Sequence, residues 1–408
     1  MGKRAVVTGI GLVTPLGNDP RSFFQAALRG HCGIRRISKF DTNRFAVQIG
    51  AEVAEPCDVD TTEATEMPAL ARWAVYSAKQ AVKDAGLDLM REDPYQIAVV
   101  TGVAVPGFDL LADQLVAMNE RGPETAPPGG PAAANQAAAA IHISRILGLK
   151  GEVLNIATSC SSSAQAIGYA LRLIRQGDAA CVLAGGAEEG VSPYCLSCLG
   201  NGKVLSRRND DPLRASRPYD RQRDGYVLAD AACILVLEEY ERALARGARP
   251  YCELRGAGAA GEAASPSRVG HSEESGARAI ECALRRAERS PETVDYYCAH
   301  GSSSQWTDIR ETRMIKRAFH EHAKRLAVSS VKSMMGHPLG AAGAVQSATA
   351  ALAIRESAVP PTINHEEPGK DCDLDYVPKE ARAMPVRNAV VYSLGMGGTN
   401  AALVLSAV

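Results

Sequence analysis

Val153-Leu-Asn-Ile-Ala-Thr-Ser-Cys-Ser-Ser-Ser163 carries an apolar strand pattern directly into a helix. Residues 153–157 form the short apolar run of a buried strand, and Ala164, Ile167, Ala170, Leu171 and Ile174 then recur at helical spacing. Cys160 falls at the junction, where the unpaired N–H groups and dipole of a helix start favour a thiolate. Two histidines follow in glycine-rich surroundings, His300 in Ala-His-Gly and His337 in Met-Gly-His-Pro-Leu-Gly. One thiol with two such imidazoles suits covalent acyl chemistry. The other ten cysteines read as buried, inert thiols.

The chain has 408 residues, more than one ordinary core serves, so two subdomains or one large α/β unit are expected. With 46% hydrophobic and 22% charged residues it belongs among globular proteins. A net charge of −1 implies no bulk attraction to nucleic acid or to an anionic membrane. No apolar run approaches the roughly 18 residues of a transmembrane helix. Met-Gly-Lys-Arg-Ala-Val-Val-Thr-Gly at the start reads as strand and turn rather than a signal peptide, so a cytoplasmic protein is expected. Cys195-Leu-Ser-Cys198 stands without a second pair or histidines at ligand spacing, and no metal site is expected.

Periodicity places a strand at 4–8, then a close turn at Gly9-Ile-Gly11, which lacks the third glycine of a dinucleotide fingerprint. Helices are expected at 22–28 and 69–85, and a strand at 97–102. A Gly-, Pro- and Ala-rich stretch over 120–140 reads as a loop leading into a small-residue helix over 132–147. Strands at 179–185 and 231–238 flank a polar surface loop at 207–224. Composition shifts to Gly, Ala and Ser over 256–268, and a second series begins. Its helices are expected at 274–288, 308–319 and 341–355, and its strands at 296–299, 327–330, 389–393 and 401–405. Strands alternating with helices on both sides of that shift predict α/β layers. Two halves are expected, 1–255 with the nucleophile and 256–408 with the two histidines.

His300 ends a strand pattern at the carboxyl edge of a sheet, where ligand sites of open α/β sheets gather. His337 lies in Lys332-Ser-Met-Met-Gly-His-Pro-Leu-Gly-Ala-Ala-Gly343, a glycine-dense turn before a small-residue helix. Glu311 and Asp308 share roughly one face of the helix after His300.

Taken in order along the chain, these motifs resemble a β-ketoacyl-acyl carrier protein synthase of the elongating Cys-His-His type, a family with the thiolase fold. The resemblance covers nearly the whole length. It runs through Val6-Val-Thr-Gly-Ile-Gly-Leu-Val-Thr-Pro-Leu-Gly17, Thr158-Ser-Cys160-Ser-Ser-Ser, Leu183-Ala-Gly-Gly-Ala-Glu188 and Ser216-Arg-Pro-Tyr-Asp220 with Arg223-Asp-Gly-Tyr-Val227. It closes with Ala299-His300-Gly, 332–343 and Gly395-Met-Gly-Gly-Thr-Asn400. The resemblance implies duplicated α/β halves in an α-β-α-β-α arrangement. It implies decarboxylative Claisen condensation of a malonyl thioester with an acyl chain held on Cys160. His300 and His337 would donate to the enolate oxygen, and the N–H groups of Cys160 and Met396 would form an oxyanion hole worth roughly 10²–10³ in rate. Lys332 and Glu311 would form a buried pair fixing the histidine loops. Ser302 and Ser304 stand where the family has threonines that bond the pantetheine arm; they read equally well as plain loop serines.

The resemblance further implies no cofactor of the protein's own, the phosphopantetheine being delivered by an acyl carrier protein. It implies a homodimer, or a heterodimer with a ketosynthase-like subunit. Arg72, Lys203, Arg207 and Arg208 are candidates for a basic patch facing the acidic carrier. Leu199, Leu394 and Met396 replace phenylalanines near the acyl pocket, so the pocket is expected to admit longer, stiffer or unsaturated chains, with compensating repacking as the alternative. Whether the pathway is fatty acid or type II polyketide synthesis stays open. A chain-length-factor-like partner subunit is the competing reading, which Cys160 and both histidines oppose. A degradative thiolase would need a second cysteine near the C-terminus, and the last one here is Cys372.

Overall fold

The computed structural model describes residues 2–53, 67–127, 129–266, 270 and 272–408. Position 128 of the stretch 120–140, and positions 267 and 268 of the compositional shift, lie outside the described residues. Ten strands form one mixed sheet. In chain order they are β1 (Ala5–Val13), β2 (Ile97–Gly102), β3 (Val153–Ile156), β4 (Cys181–Glu189), β5 (Asp230–Glu239), β6 (Cys252–Gly261), β7 (Tyr296–Cys298), β8 (Ala327–Ser329), β9 (Asn388–Gly395) and β10 (Thr399–Ser406). Their spatial order is β8-β7-β9-β10-β6-β1-β5-β4-β2-β3.

That order is two copies of one pattern meeting at the centre. Each set of five is arranged third-second-fourth-fifth-first, with its second strand parallel to its third and fourth and the remaining pairings antiparallel. The sets join where β1 runs antiparallel to β6, with Val6 opposite Glu253 and Val7 opposite Cys252. The repeat turns over between β5 and β6; residue 255, where composition shifts, lies inside β6.

Helices α1 (Pro20–Leu28), α2 (Ala69–Asp84), α3 (Phe108–Arg121), α4 (Ala138–Leu147), α5 (Ser162–Gln176), α6 (Pro193–Asn201), α7 (Glu274–Ala287), α8 (Gln305–Phe319) and α9 (Ala342–Glu356) complete the layers. α2 and α4 cover the outer face of the first strand set, and α7 with α8 that of the second. α5 and α9 lie between the two sets and touch strands of both. α9 is buried from Ala342 to Ile354, and its small side chains are what allow a helix enclosed on all sides. The result is the expected α-β-α-β-α layering.

Several local expectations change. β1 runs unbroken through Gly9-Ile-Gly11. These glycines make no turn: a methyl group on either would overlap α2 backbone, Ala81 O at Gly9 and Ser77 O at Gly11. Their role is close strand–helix packing. The helix expected over 132–147 is broken near Ala134, so that α4 begins at Ala138. The polar stretch 207–224 is not all surface. Arg217, Tyr219, Asp220 and Arg223 are buried, with Arg217 Nε on Asp220 at 2.8 Å and Asp220 also taking the N–H groups of Gln222, Glu366 and Glu367. Pairing is what makes burial of these charges tolerable.

Candidate active site

The nucleophile turn links β3 to α5. Ser159 sits at φ +56°, a left-handed conformation that non-glycine residues adopt rarely and that concentrates at functional sites. Two serines hold the turn. Ser162 Oγ accepts from Thr158 N–H at 2.9 Å and donates to Ser159 O at 2.6 Å, while Ser161 Oγ donates to Thr158 O at 2.8 Å. Thr399 on β10 donates to the same Thr158 oxygen at 2.7 Å, docking the β9–β10 hairpin on the turn. That hairpin presents the Met396 N–H to the Cys160 sulfur. Cys160 precedes the helix and is buried, with Ser159 Oγ 3.8 Å from Sγ.

Burial opposes the thiolate preference expected at the helix start. Burial pushes the Cys160 thiol up, and the Ser159 hydroxyl, the Lys332 charge and the Met396 N–H pull it back only partly. The resting group is a thiol.

His300 follows β7. Its Nδ1 accepts from the main-chain N–H of Leu394 at 3.3 Å, so the ring proton sits on Nε2. Burial, then the Lys332 charge, holds its imidazole well below the usual 6.5; His337 is held down in the same way. Both rings are therefore neutral at physiological pH. They stand perpendicular with centroids 5.2 Å apart. His337 is pinned through its backbone, its N–H donating to Val227 O at 2.7 Å and its carbonyl accepting from Ala229 N–H at 3.1 Å. Its Nδ1 is buried without a partner.

Lys332 and Glu311 are both buried, as expected, and both hold the His300 segment, but without a salt bridge to each other. Each grips a different part of the His300 main chain. Lys332 Nζ donates to His300 O at 2.6 Å, and Glu311 accepts from the N–H groups of His300 and Gly301, each at 2.7 Å, and from Tyr219 OH at 2.8 Å. The two charges reach the histidine through its peptide groups. Burial lowers Lys332 to about 8, with Glu311 opposing the fall, and raises Glu311.

Glu188, at the end of a quoted motif but given no role there, is a fully buried acid. Its carboxylate takes the N–H groups of Ala104 and Val105 at 2.9 Å and of Gly340 at 2.8 Å, tying the loop after β2 to the His337 turn. Burial raises it to about 8. An acid closing the apolar run Leu183-Ala-Gly-Gly-Ala-Glu188 near a strand end was the available signal.

The remaining candidates separate. Leu199 on α6 packs half-buried against an apolar cluster containing Cys160, Cys195, Leu196, Leu205 and Leu339. Leu394 instead lies in the core of the second strand set and reaches the site through its N–H alone. Met396 is half-buried in the hairpin turn. Ser302 is buried, with no partner for its hydroxyl among the described residues. Ser304 caps α8, accepting from Thr307 N–H at 3.5 Å. Among the described residues no cluster of His, Cys, Asp or Glu could hold a metal ion, and no helix is long and apolar enough to cross a membrane.

Comparison with known proteins agrees with this layout. Residues 3–243 match the family model "Beta-ketoacyl synthase, N-terminal domain" and residues 251–366 match "Beta-ketoacyl synthase, C-terminal domain". The 3-oxoacyl-[acyl-carrier-protein] synthase 2 of Coxiella burnetii is 40% identical over 411 residues, covering 100% of this chain and 99% of its own. That of Vibrio harveyi is 40% identical over 412 residues, covering 98% of each. Two solved structures superpose at a TM-score of 0.93 with 31% identity over 100% of both chains. One is a type II polyketide acyl-carrier protein in complex with its ketosynthase bound to the hexaketide, the other the ishigamide ketosynthase/chain length factor. With the first strand set and the first three strands of the second matched by the family's two domain models, and whole-length relatives at 40% identity, the chain belongs to the β-ketoacyl synthase family.

Proposed function

We propose that Cys160, His300 and His337 divide the family's condensing reaction between them. The reaction is the decarboxylative condensation of malonyl-acyl carrier protein with an acyl chain on the enzyme, giving 3-oxoacyl-acyl carrier protein. Cys160 sulfur attacks the incoming thioester; its proton leaves with the pantetheine thiol, and the acyl chain stays on the cysteine. The malonyl thioester then loses CO2, and the electron pair of the broken C–C bond moves to the thioester oxygen as an enolate. Nε2–H donors from His300 and His337 stabilise that oxygen. The enolate carbon attacks the acyl carbonyl, whose oxygen rests on the N–H groups of Cys160 and Met396. Collapse breaks the C–S bond and returns the electron pair to Cys160. The observation that carries this reading is the Leu394–His300 hydrogen bond, which leaves a neutral imidazole donating from Nε2.

Lys332 and Glu311 act as positioning residues through the His300 peptide. The unpartnered Ser302 hydroxyl suits the pantetheine arm better than Ser304, which is engaged as a helix cap. The arm arrives on the carrier, and no cofactor of the chain's own is invoked. Exposed Lys203 and Arg207 with half-exposed Arg208 form the stronger part of a carrier-docking patch; Arg72, half-buried with Nη1 on Met67 O, is the weaker. β3 is an edge strand with Val153 exposed, and Ile141 on α4 is exposed as well. That open edge suits pairing with a second copy or a ketosynthase-like subunit. The expected location is the cytoplasm, and the chain divides into a nucleophile half and a histidine half as the strand repeat does. Nothing in the site favours a non-catalytic partner subunit.

The test is the intact mass of Cys160 after incubation with a panel of acyl-carrier proteins, then product analysis with malonyl-carrier protein. An acyl adduct absent in Cys160→Ala, followed by a 3-oxoacyl product, is expected. A chain that never acylates would sink the reading.

A further inference from the structure

Tyr226 is set rigidly beside the reacting groups. Gly225 before it adopts φ +147°, and a side chain there would meet the Leu205 carbonyl carbon at 2.5 Å. Tyr226 N–H donates to Val204 O at 3.1 Å, and its carbonyl accepts from Ser206 N–H at 2.9 Å. The next residue, Val227, takes the His337 N–H. The phenol stands edge-on to the His337 imidazole, with centroids 5.3 Å apart. It packs half-buried against the apolar cluster of Cys160, Cys195 and Leu196, against which Leu199 and Val105 also pack. Burial raises its ionisation, and the Cys160 and Cys195 thiols raise it further. The ring thus borders the nucleophile and the wall formed by α6.

Its hydroxyl is the anomaly. The hydroxyls of Tyr219, Tyr296, Tyr376 and Tyr392 are hydrogen-bonded to Glu311, Ser329, Thr312 and Asn400. Tyr297, without a partner among the described residues, is sealed in the core. The Tyr226 hydroxyl has no partner among the described residues yet keeps access to open space. A phenol O–H beside this apolar cluster is left an unsatisfied donor whenever a plain hydrocarbon chain fills the space next to it. An oxygen on the chain would satisfy it.

We propose that Tyr226 is a specificity-determining residue, its hydroxyl donating to an oxygen borne near the thioester of the acyl chain on Cys160. The substrate class this selects is oxygenated acyl chains, such as 3-oxo or 3-hydroxy thioesters, over saturated chains of the same length. The inference rests on the acyl-cysteine reading above.

The test compares hexanoyl and 3-hydroxyhexanoyl pantetheine thioesters, following acyl transfer to Cys160 by intact mass in the wild type and in Tyr226→Phe. The ring is kept, so the fold is retained and only the hydroxyl is lost. The wild type should prefer the 3-hydroxy thioester, and the preference should fall about three- to tenfold in the variant, the usual worth of one hydrogen bond. Equal preference in both proteins, with both acylating, would overturn the role of Tyr226 and leave the condensing reading intact. Failure of the wild type to acylate with either thioester would overturn the condensing reading itself, and the inference with it.

Discussion

The main-chain N–H of Leu394 donates to His300 Nδ1 at 3.3 Å, so the turn that carries the Met396 N–H also sets the tautomer of the histidine. In the proposed reaction one hairpin thereby aligns a donor for each of the two oxygens that gain charge.

A pH dependence follows. Both histidines are held below 6.5 by burial and by Lys332, so protonating them is disfavoured in the folded chain. Malonyl decarboxylation should stay flat from about 8, where Lys332 titrates, down to 6.5. Acyl transfer should instead climb with pH, because the Cys160 thiol is raised. Below 6.5 the unfolded chain binds protons that the folded histidines refuse, so stability is lost as pH falls. Separate rate profiles for the half-reactions would check this; a decarboxylation step titrating near 6.5 would contradict it.

Glu311→Gln should damage the His300 turn. All three partners of the carboxylate are donors, and an amide offers one oxygen to the two that they use. Whichever way the amide turns, at least one buried N–H is left facing an NH2, a cost of about 1–3 kcal/mol. Urea unfolding should register that loss, and decarboxylation should fall more than acylation. An equal fall in both half-reactions would mean that the pair does not act through His300.

Gly9→Ala should destabilise the fold by about 1–3 kcal/mol or more, since the added methyl overlaps α2 backbone rather than a movable side chain. The thermal midpoint measures it. A turn at this position, as expected from sequence, would tolerate alanine.

Gly9 also marks what a sequence can convey. Glycines at 9 and 11 satisfy either a turn or a close strand–helix contact, and only the partner helix, some seventy residues away, decides between them. The pattern of α3 gives no helical signal in the sequence because it covers no core: none of its side chains is buried. β6 has alternating small residues that read as a compositional break. Cys160, His300 and His337 were legible because their chemistry needs particular residue types in local turns. The separation of Lys332 from Glu311 was not legible, since it depends on which peptide group of His300 each side chain reaches. Leu394 likewise acts through its backbone, which no side-chain substitution pattern discloses.

Reversing the charge of Arg207 and Arg208 together should slow acyl transfer from an acyl-carrier protein while sparing transfer from a small pantetheine thioester. Arg207 is exposed, and among the described residues the Arg208 side chain makes one bond, to Gln222 O at 3.2 Å, so the fold has little stake in either charge. The loss should shrink as salt rises. Equal slowing with both donors would place the defect in the site rather than at docking.

In the proposed reading Met396 joins the electrostatics of the site to its selectivity. Its N–H faces the Cys160 sulfur while its side chain stays half-buried in a turn flanked by Gly395 and Gly397, the latter at φ +87°. The backbone task does not depend on the side chain, so Met396→Phe tests the pocket without removing the donor. A rigid ring in place of a deformable thioether should narrow the approach to the apolar cluster around Cys160 and Leu199. The ratio of long-chain to short-chain acyl transfer should fall about tenfold, the scale of one or two methylenes excluded from an apolar site. An unchanged chain-length profile would show that the missing phenylalanines are offset by repacking elsewhere in the wall.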